Sequence, residues 1–262
     1  MVKAIFFSSL CCVLLICAGC STLYNPATER NEFILINSAT EVALGKSAIQ
    51  ELGKKHRLTS DQALQRRVER IGSRLAKVSD RQDIQYVFAV LEDKELNAMA
   101  LPGGYIYVYQ GLMEALNDDE LAYVVGHEIG HVAARHIAKK LQANMAYQVL
   151  LGVAFAGMGD STKARSQEIA TGANLAYSIL LELPFSRKDE YEADALGVRY
   201  SVRAGFDPYA SLNALAKLKQ GQGAGSKLLV YFRTHPYVDD RIQALNKIIP
   251  DVVAKNAKAY AQ

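Results

Sequence analysis

The stretch from Val124 to His136 reads VVGHEIGHVAARH and contains the pattern H-E-x-x-H at His127, Glu128 and His131. The apolar residues around it are spaced as one buried face of a helix would be. Residues four apart on a helix project from the same side, about 6 Å apart along the axis, so both imidazoles can bind one metal ion. Glu128 is rotated about 100° from His127, which keeps its carboxylate near the ion, where it could take a proton from water. The pattern predicts a metal site with hydrolytic chemistry; the alternative is two histidines on a buried face.

Two glycines, Gly126 and Gly130, interrupt this predicted helix. Each should cost about 1 kcal/mol of helix stability relative to alanine. We therefore expect another element to approach the helix backbone closely at these positions.

A second predicted helix supplies carboxylates. It begins at Ser186, reads SRKDEYEADALGVRYSVRAG and ends at Gly205. A catalytic zinc site has three protein ligands and leaves its fourth position to water, so the histidine pair needs one more ligand. Glu190 and Asp194 lie four apart and share a face. We predict that Glu190 is the third ligand and that Asp194 accepts a hydrogen bond from the distal nitrogen of a ligand histidine. The alternative is a solvated acidic face.

Three other polar residues fit the site less well. His136 is the fifth residue after His131, so on one helix its ring points well round from the metal. Glu192 is displaced by about 200° from Glu190 and is a poorer ligand candidate. His56 lies in the basic turn KKHR and is expected at the surface.

The first twenty residues, MVKAIFFSSLCCVLLICAGC, have the features of a secretory signal peptide, and residues 1–19 are predicted as such. The end of this segment resembles the lipobox of bacterial lipoproteins, in which the chain is cut before a cysteine that carries lipid. That cysteine is Cys20; Cys17 stands where leucine is usual. After cleavage no free thiolate would remain to bind metal or form a disulfide. The alternative is an uncleaved anchor helix.

The remainder, about 240 residues, suffices for one domain with a sizeable core. We predict a tether at residues 20–37, a domain at 38–250 and a loose tail at 251–262. Hydrophobic residues make up 50% and charged residues 22%, as in ordinary globular proteins. The net charge of +3 is spread along the chain, so nothing indicates a nucleic-acid partner.

Other elements frame the H-E-x-x-H helix. Ser38 and Glu41 have the form of a capping box opening a helix to about Lys55. A second helix, with arginines on its predicted solvated face, is followed by a strand and a hairpin; the ranges are Asp61–Lys77, Ile84–Val90 and Asn97–Tyr109. The hairpin either caps the core or holds an extended peptide by strand addition.

Four motifs in order, NAMALPGGYIYVYQGLM, HEIGH, SRKDEYEAD and THPYVDDR, resemble those of the M48 family of zinc metallopeptidases. The resemblance covers roughly Ala39 to Ile249. It implies one zinc ion per chain, bound by His127, His131 and Glu190, with Glu128 as general base and Asp194 supporting a ligand. It also implies that residues 97–109 line the substrate cleft.

The resemblance also places the THPYVDDR motif near the zinc. His235 could then approach the open metal position and regulate it, or hydrogen-bond the tetrahedral intermediate. Arg241 could pair with an acidic side chain or stabilise the oxyanion. A turn followed by a helix over Asp239–Ile249 is the alternative.

The predicted fold is α+β: a mainly helical zincin-like domain with a small antiparallel hairpin beside the H-E-x-x-H helix. The expected function is a zinc endopeptidase of the bacterial envelope, lipid-anchored and facing the periplasm. Ser21 after the lipidated cysteine favours the outer over the inner membrane. By resemblance, the substrates are unfolded or misassembled envelope proteins. A client-binding chaperone or assembly factor that cleaves little is the alternative.

Overall fold

The computed structural model describes residues 22–155, 184–221 and 230–257. The strands are β1 Thr22–Asn25, β2 Arg30–Phe33, β3 Val87–Leu91, β4 Ala98–Leu101 and β5 Tyr105–Tyr109. The helices are α1 Ser38–Lys55, α2 Gln62–Val78, α3 Gln110–Ala115, α4 Asp118–Ala133, α5 His136–Phe155, α6 Arg187–Arg203, α7 Ala210–Gly221, α8 Val230–Thr234 and α9 Val238–Ala257.

A three-stranded sheet packs beside α4 in the order β3-β5-β4. β4 and β5 form the expected antiparallel hairpin, with Met99 opposite Tyr107. β3 pairs with β5 in parallel, which the sequence did not indicate, so the sheet is mixed. The predicted α+β class, mainly helical with a hairpin beside the H-E-x-x-H helix, is confirmed.

Helix α4 lies at the centre of the domain. Asn117 and Glu120 form a capping box at its start, and every residue from Glu120 to Ala133 is buried. It contacts α2, α6, α7 and the sheet. A helix surrounded in this way must be apolar on nearly all sides, so the few polar side chains between Glu120 and Ala133 are held away from water.

The expected close approach to the α4 glycines is confirmed, and the approaching element is α6. A Cβ atom built on Gly126 would lie 3.1 Å from the carbonyl oxygen of Gly197. One built on Gly130 would lie 2.9 Å from the carbonyl oxygen of Ala193. On the facing helix, a Cβ on Gly197 would lie 2.9 Å from the amide nitrogen of His127. The two backbones therefore touch where a side chain would separate them.

Buried charges hold the other end of α4. Arg81 donates to both carboxylate oxygens of Glu41 and to the carbonyl of Val132, in the last turn of α4. Arg135 follows α4 in the left-handed region, with φ 56°, and also donates to Glu41. The predicted Ser38–Glu41 capping box is wrong, since Asn37 caps α1 and Glu41 binds the two arginines instead.

The predicted tether at residues 20–37 is also wrong for the described part of that segment. β1 and β2 form an antiparallel hairpin whose turn packs on the domain, with Asn25 and Ala27 buried. Salt bridges from Glu32 and Arg30 to Lys139 and Glu192 join the hairpin to α5 and α6. These long-range pairs order a segment whose composition alone indicates a linker.

The predicted tail from residue 251 is helical up to Ala257, because α9 continues through Pro250. Asn256 is buried and accepts a hydrogen bond from Arg203 of α6. Cys20 and the predicted signal peptide lie outside the described residues. Among the helices that the structure describes, none combines the length and apolarity needed to cross a membrane.

Substituting Gly197 tests the helix contact. Gly197→Ala should lower the free energy of unfolding by about 1–3 kcal/mol, because the new methyl group overpacks against the α4 backbone. Gly53→Ala is the matched control: a Cβ there meets no atom within 4 Å, so it should stabilise α1 by about 0.5–1 kcal/mol. Urea unfolding of both variants measures the difference; equal stabilities would contradict the close contact.

Candidate metal centre

Helices α4 and α6 bring three fully buried candidate ligands together. The Nε2 atoms of His127 and His131 are 3.1 Å apart. Glu190 Oε1 lies 3.4 Å from Nε2 of His131, and Glu190 Oε2 lies 3.7 Å from Nε2 of His127. All three side chains have no solvent exposure. The three residues predicted as metal ligands therefore converge on one point.

This donor set fits zinc. Nitrogen and oxygen ligands lie about 2.0–2.1 Å from a tetrahedral zinc ion, which separates neighbouring ligand atoms by about 3.3 Å. The observed separations bracket that value. Two imidazoles and a carboxylate are also a usual set for a catalytic zinc ion. Burying two imidazoles and a carboxylate side by side is energetically unfavourable, and a bound metal ion would offset that cost.

Asp194 orients His127. Its Oδ1 lies 2.8 Å from Nδ1 of His127, so Nδ1 donates to the carboxylate and Nε2 faces the ligand cluster. The hydroxyl of Tyr123 donates to the same oxygen. Arg241, wholly buried on α9, donates to both oxygens of Asp194 and pairs with Glu190 Oε2 at 2.8 Å. Of the two roles considered for Arg241, its contacts fit the pairing with acidic side chains.

A separate chain of contacts orients His131, and sequence reasoning missed it. Nδ1 of His131 lies 3.0 Å from Nδ1 of His136, and Nε2 of His136 lies 3.1 Å from Glu192 Oε2. Glu192 in turn accepts from Arg30 of β2. With the proton of His136 on Nε2, facing Glu192, its Nδ1 accepts from His131 and leaves Nε2 of His131 free for metal. Arg135 follows α4 with a positive φ, and this change of direction brings His136 to the site.

His235 joins the cluster as a fourth donor. Its Nδ1 lies 3.2 Å from Nε2 of His127 and 3.1 Å from Glu190 Oε1. The ligand atoms of these residues and His131 all lie within 4.8 Å of one another. Tyr231 stacks on the His235 ring with a centroid separation of 4.7 Å, which holds the imidazole in the cluster.

Glu128 lies beside the ligands without belonging to the converging set. Its side chain is buried, and Oε1 makes no hydrogen bond to the described residues. Nε2 of His235 is 3.5 Å from this oxygen. An unbonded carboxylate oxygen at this position is available to accept a proton.

The electrostatics favour metal-binding forms of the ligands. Burial lowers the pKa of His131 well below its usual value, which keeps the ring neutral. Burial would raise the pKa of Glu190, but the charges of His235 and Arg241 hold that pKa well below its usual range. Burial would likewise raise the pKa of Asp194, yet Arg241 and the bond to His127 lower it to about 2. His235 differs from these ligands: burial would lower its pKa, but the carboxylates of Glu190 and Glu128 raise it, which favours a protonated ring that donates to Glu190. His235 can act as a metal donor only when that proton is lost.

Two histidines and a glutamate around one point, with a second buried glutamate beside them, define the site of a zinc-dependent hydrolase. Comparison with known proteins agrees. Residues 62–249 match the family model "Peptidase family M48". The chain therefore belongs to peptidase family M48, a family of zinc metalloproteases, and the predicted enzyme class and cofactor are confirmed.

Individual relatives come from mitochondria and bacteria. The chain is 29% identical over 236 residues to the mitochondrial metalloendopeptidase OMA1 of Schizosaccharomyces pombe, covering 88% of this chain and 68% of the relative. It is 32% identical over 184 residues to the protein of that name from Arabidopsis thaliana, covering 70% and 36%. It is 30% identical over 205 residues to the beta-barrel assembly-enhancing protease of Yersinia pestis, covering 77% and 42%. The chain thus spans less than half the length of the last two relatives.

Replacing His136 tests its support of His131. His136→Leu should weaken zinc binding by about 10–100-fold, because the proton on Nδ1 of His131 loses its acceptor. Competition with a chromophoric chelator measures the affinity. His56→Leu makes the same change at a histidine outside the cluster and should leave zinc affinity unchanged. Equal zinc affinities in the two variants would show that His136 does not support zinc binding by His131.

Proposed function

We propose that this chain is a zinc endopeptidase of the bacterial envelope that hydrolyses unfolded or misassembled proteins. The observation that carries the proposal is the buried convergence of His127, His131 and Glu190 beside Glu128, whose Oε1 makes no hydrogen bond to the described residues. We assign the first three as zinc ligands and Glu128 as general base.

Glu128, Asp194 and Arg241 have different roles in the proposed reaction. Zinc bound here supplies Lewis-acid chemistry, polarising the scissile carbonyl and making water more acidic. Glu128 Oε1 accepts the proton from water and later delivers it to the leaving amine. Asp194 and Arg241 hold His127 in the tautomer that leaves Nε2 free. The burial of the cluster excludes bulk water, which strengthens each of these interactions.

Strand β4 is the surface that we assign to the substrate. It is an edge strand of the sheet, paired on one side with β5, and it packs on α4. An extended peptide can add to such an edge through backbone hydrogen bonds, which are independent of sequence. Asn97, just before β4, has a buried Oδ1 without a hydrogen-bond partner among the described residues. The resemblance to the M48 family, which implies that residues 97–109 line the substrate cleft, favours strand addition over a hairpin that merely caps the core.

His235 would give the site a resting form, meaning a state in which its imidazole occupies the fourth position of the metal. Together with the three proposed ligands it makes a set of four donors, whereas a catalytic zinc site keeps one position open. We therefore assign His235 a regulatory role: it withdraws before a substrate carbonyl can enter. Its stacking on Tyr231 links that withdrawal to α8.

The cellular setting rests on sequence and on relatives. The signal-like segment and Cys20 support a lipid anchor facing the periplasm, with Ser21 favouring the outer membrane. The Yersinia relative is named for beta-barrel assembly, which supports an envelope role and envelope proteins as substrates. Relatives named as mitochondrial share the family, so the family alone does not specify the compartment.

A client-binding role with little proteolysis is the second candidate. The observation that favours it is the four-donor cluster, which leaves the metal no open position while His235 is in place. One edge strand could serve either to hold or to present a client.

Substitution of the two glutamates separates the proposed roles. Glu128→Gln should keep its zinc and lose about 10²–10⁴-fold in casein cleavage, because proton transfer is removed. Glu190→Ala should lose affinity for zinc, because one ligand of three is gone. Glu69→Gln, at an exposed position of α2, should behave as wild type in zinc content and rate. If wild type binds zinc but does not cleave, and opening the site at His235 does not restore cleavage, the client-binding role replaces the enzyme.

Substitution of His235 tests the resting form. His235→Ala should retain zinc through the remaining three ligands and cleave casein several times faster than wild type, because the fourth position is then open. His56→Ala is the matched control and should change neither quantity. A rate that falls instead would assign His235 to stabilisation of the tetrahedral intermediate.

A further inference from the structure

The N-terminal hairpin inverts the usual placement of charge on a sheet. Its register puts Tyr24 and Phe33 on one face and Arg30 and Glu32 on the other. In antiparallel sheets packed on a core, the apolar face ordinarily turns inward and the charged face meets water. Here Asn25 and Glu32 of the charged face are turned towards the domain, while Leu23 on the same face is 47% exposed.

Both charges of this face pair with the domain, Glu32 from a nearly buried position and Arg30 from a half-exposed one. Arg30 pairs with Glu192 at 2.7 Å, and Glu32 pairs with Lys139 at 2.6 Å. Asn25 is buried and donates to Glu32 at 2.9 Å. The hairpin is therefore fixed in one orientation, and that orientation leaves its apolar face outward.

We call Tyr24, Phe33 and Leu35 the outer apolar face. Their exposed fractions are 55%, 47% and 59%. The backbone beneath them is held, since Leu35 N donates to the side chain of Gln142 at 2.7 Å and the same side chain donates to Phe33 O. Large apolar side chains held together at the surface indicate a partner rather than a loose segment.

The chain that precedes the hairpin indicates which partner. Cys20, the lipid attachment site of the proposed function, is two residues before Thr22, so its Cα lies at most about 7 Å from the start of β1. We propose that the outer apolar face lies in the interfacial layer of the membrane that receives this lipid. Tyrosine and apolar side chains suit that layer, where one end of a ring is apolar and the other is wet. The inference rests on the proposed lipid anchor.

A single indole reports the contact, because the chain contains no tryptophan. Phe33→Trp is introduced into the full-length lipidated protein, which is reconstituted in phosphatidylethanolamine and phosphatidylglycerol vesicles with brominated acyl chains. Indole fluorescence should be quenched severalfold more than in vesicles of the same lipids without bromine.

Tyr209→Trp is the matched control. Tyr209 is 50% exposed. Its backbone amide donates to Asp207, whose own amide donates to Asp119 at the start of α4, so Tyr209 lies near that end of the helix. The hairpin lies near Ala133, at the other end of α4, about 20 Å away. The indole at position 209 should therefore show little quenching by bromine.

The outcomes distinguish a failure of the proposed lipid anchor from a failure of the proposed membrane contact. Metabolic lipid labelling of wild type and Cys20→Ala tests the anchor alone; label retained on Cys20→Ala, or absent from wild type, overturns both the anchor and the inference. If the label depends on Cys20 but positions 33 and 209 are quenched equally little, the anchor stands and the outer apolar face is not in the membrane. A blue-shifted, unquenched indole at position 33 would place the face against a protein and overturn the inference. None of these results affects the zinc chemistry.

Discussion

The contact between the backbones of α4 and α6 determines the distances in the metal centre. Packed helices usually lie 8–10 Å apart, and the side chains at the contact set the separation. At Gly126 and Gly197 there is no side chain, and a single Cβ on either would reach the facing backbone. His127 is adjacent to the first glycine, and Glu190 lies about two turns before the second. Because the helices touch, ligands from both can reach one point without long, mobile side chains.

This convergence concentrates charge in a dry interior, and a third helix compensates it. Glu190 and Asp194 bring two carboxylates into the core, where unpaired charges are strongly unfavourable. Arg241 contacts both, and its burial is complete. Removing one partner from such a buried network leaves the others uncompensated, at a typical cost of about 3–5 kcal/mol. The position of α9 is therefore coupled to the metal centre by charge as well as by packing.

Local patterns predicted much of this molecule. H-E-x-x-H, the α4 glycines and the Ser186 cap each depend on neighbours within a few residues, and the structure shows the helices and the close contact that they indicate. The contact of His136 with His131 was not predicted, because sequence alone gives no reason for Arg135 to adopt a positive φ, which L-residues disfavour. The N-terminal hairpin was not predicted, because its ion-pair partners lie more than a hundred residues away along the chain. Local spacing predicts elements; it does not reveal which distant charges will meet.

The order of the site along the chain has a consequence for biosynthesis. The H-E-x-x-H helix emerges from the ribosome long before Glu190, and Arg241 comes last of all. Contacts of large sequence separation form late, because the intervening chain must first be closed into a loop. A nascent chain therefore carries His127, Glu128 and His131 before the residues that would complete and balance the proposed site. The proposed ligands and the arginine that balances them come together only when α6 packs on α4 and α9 packs on α6, so we expect hydrolytic activity to require the folded domain.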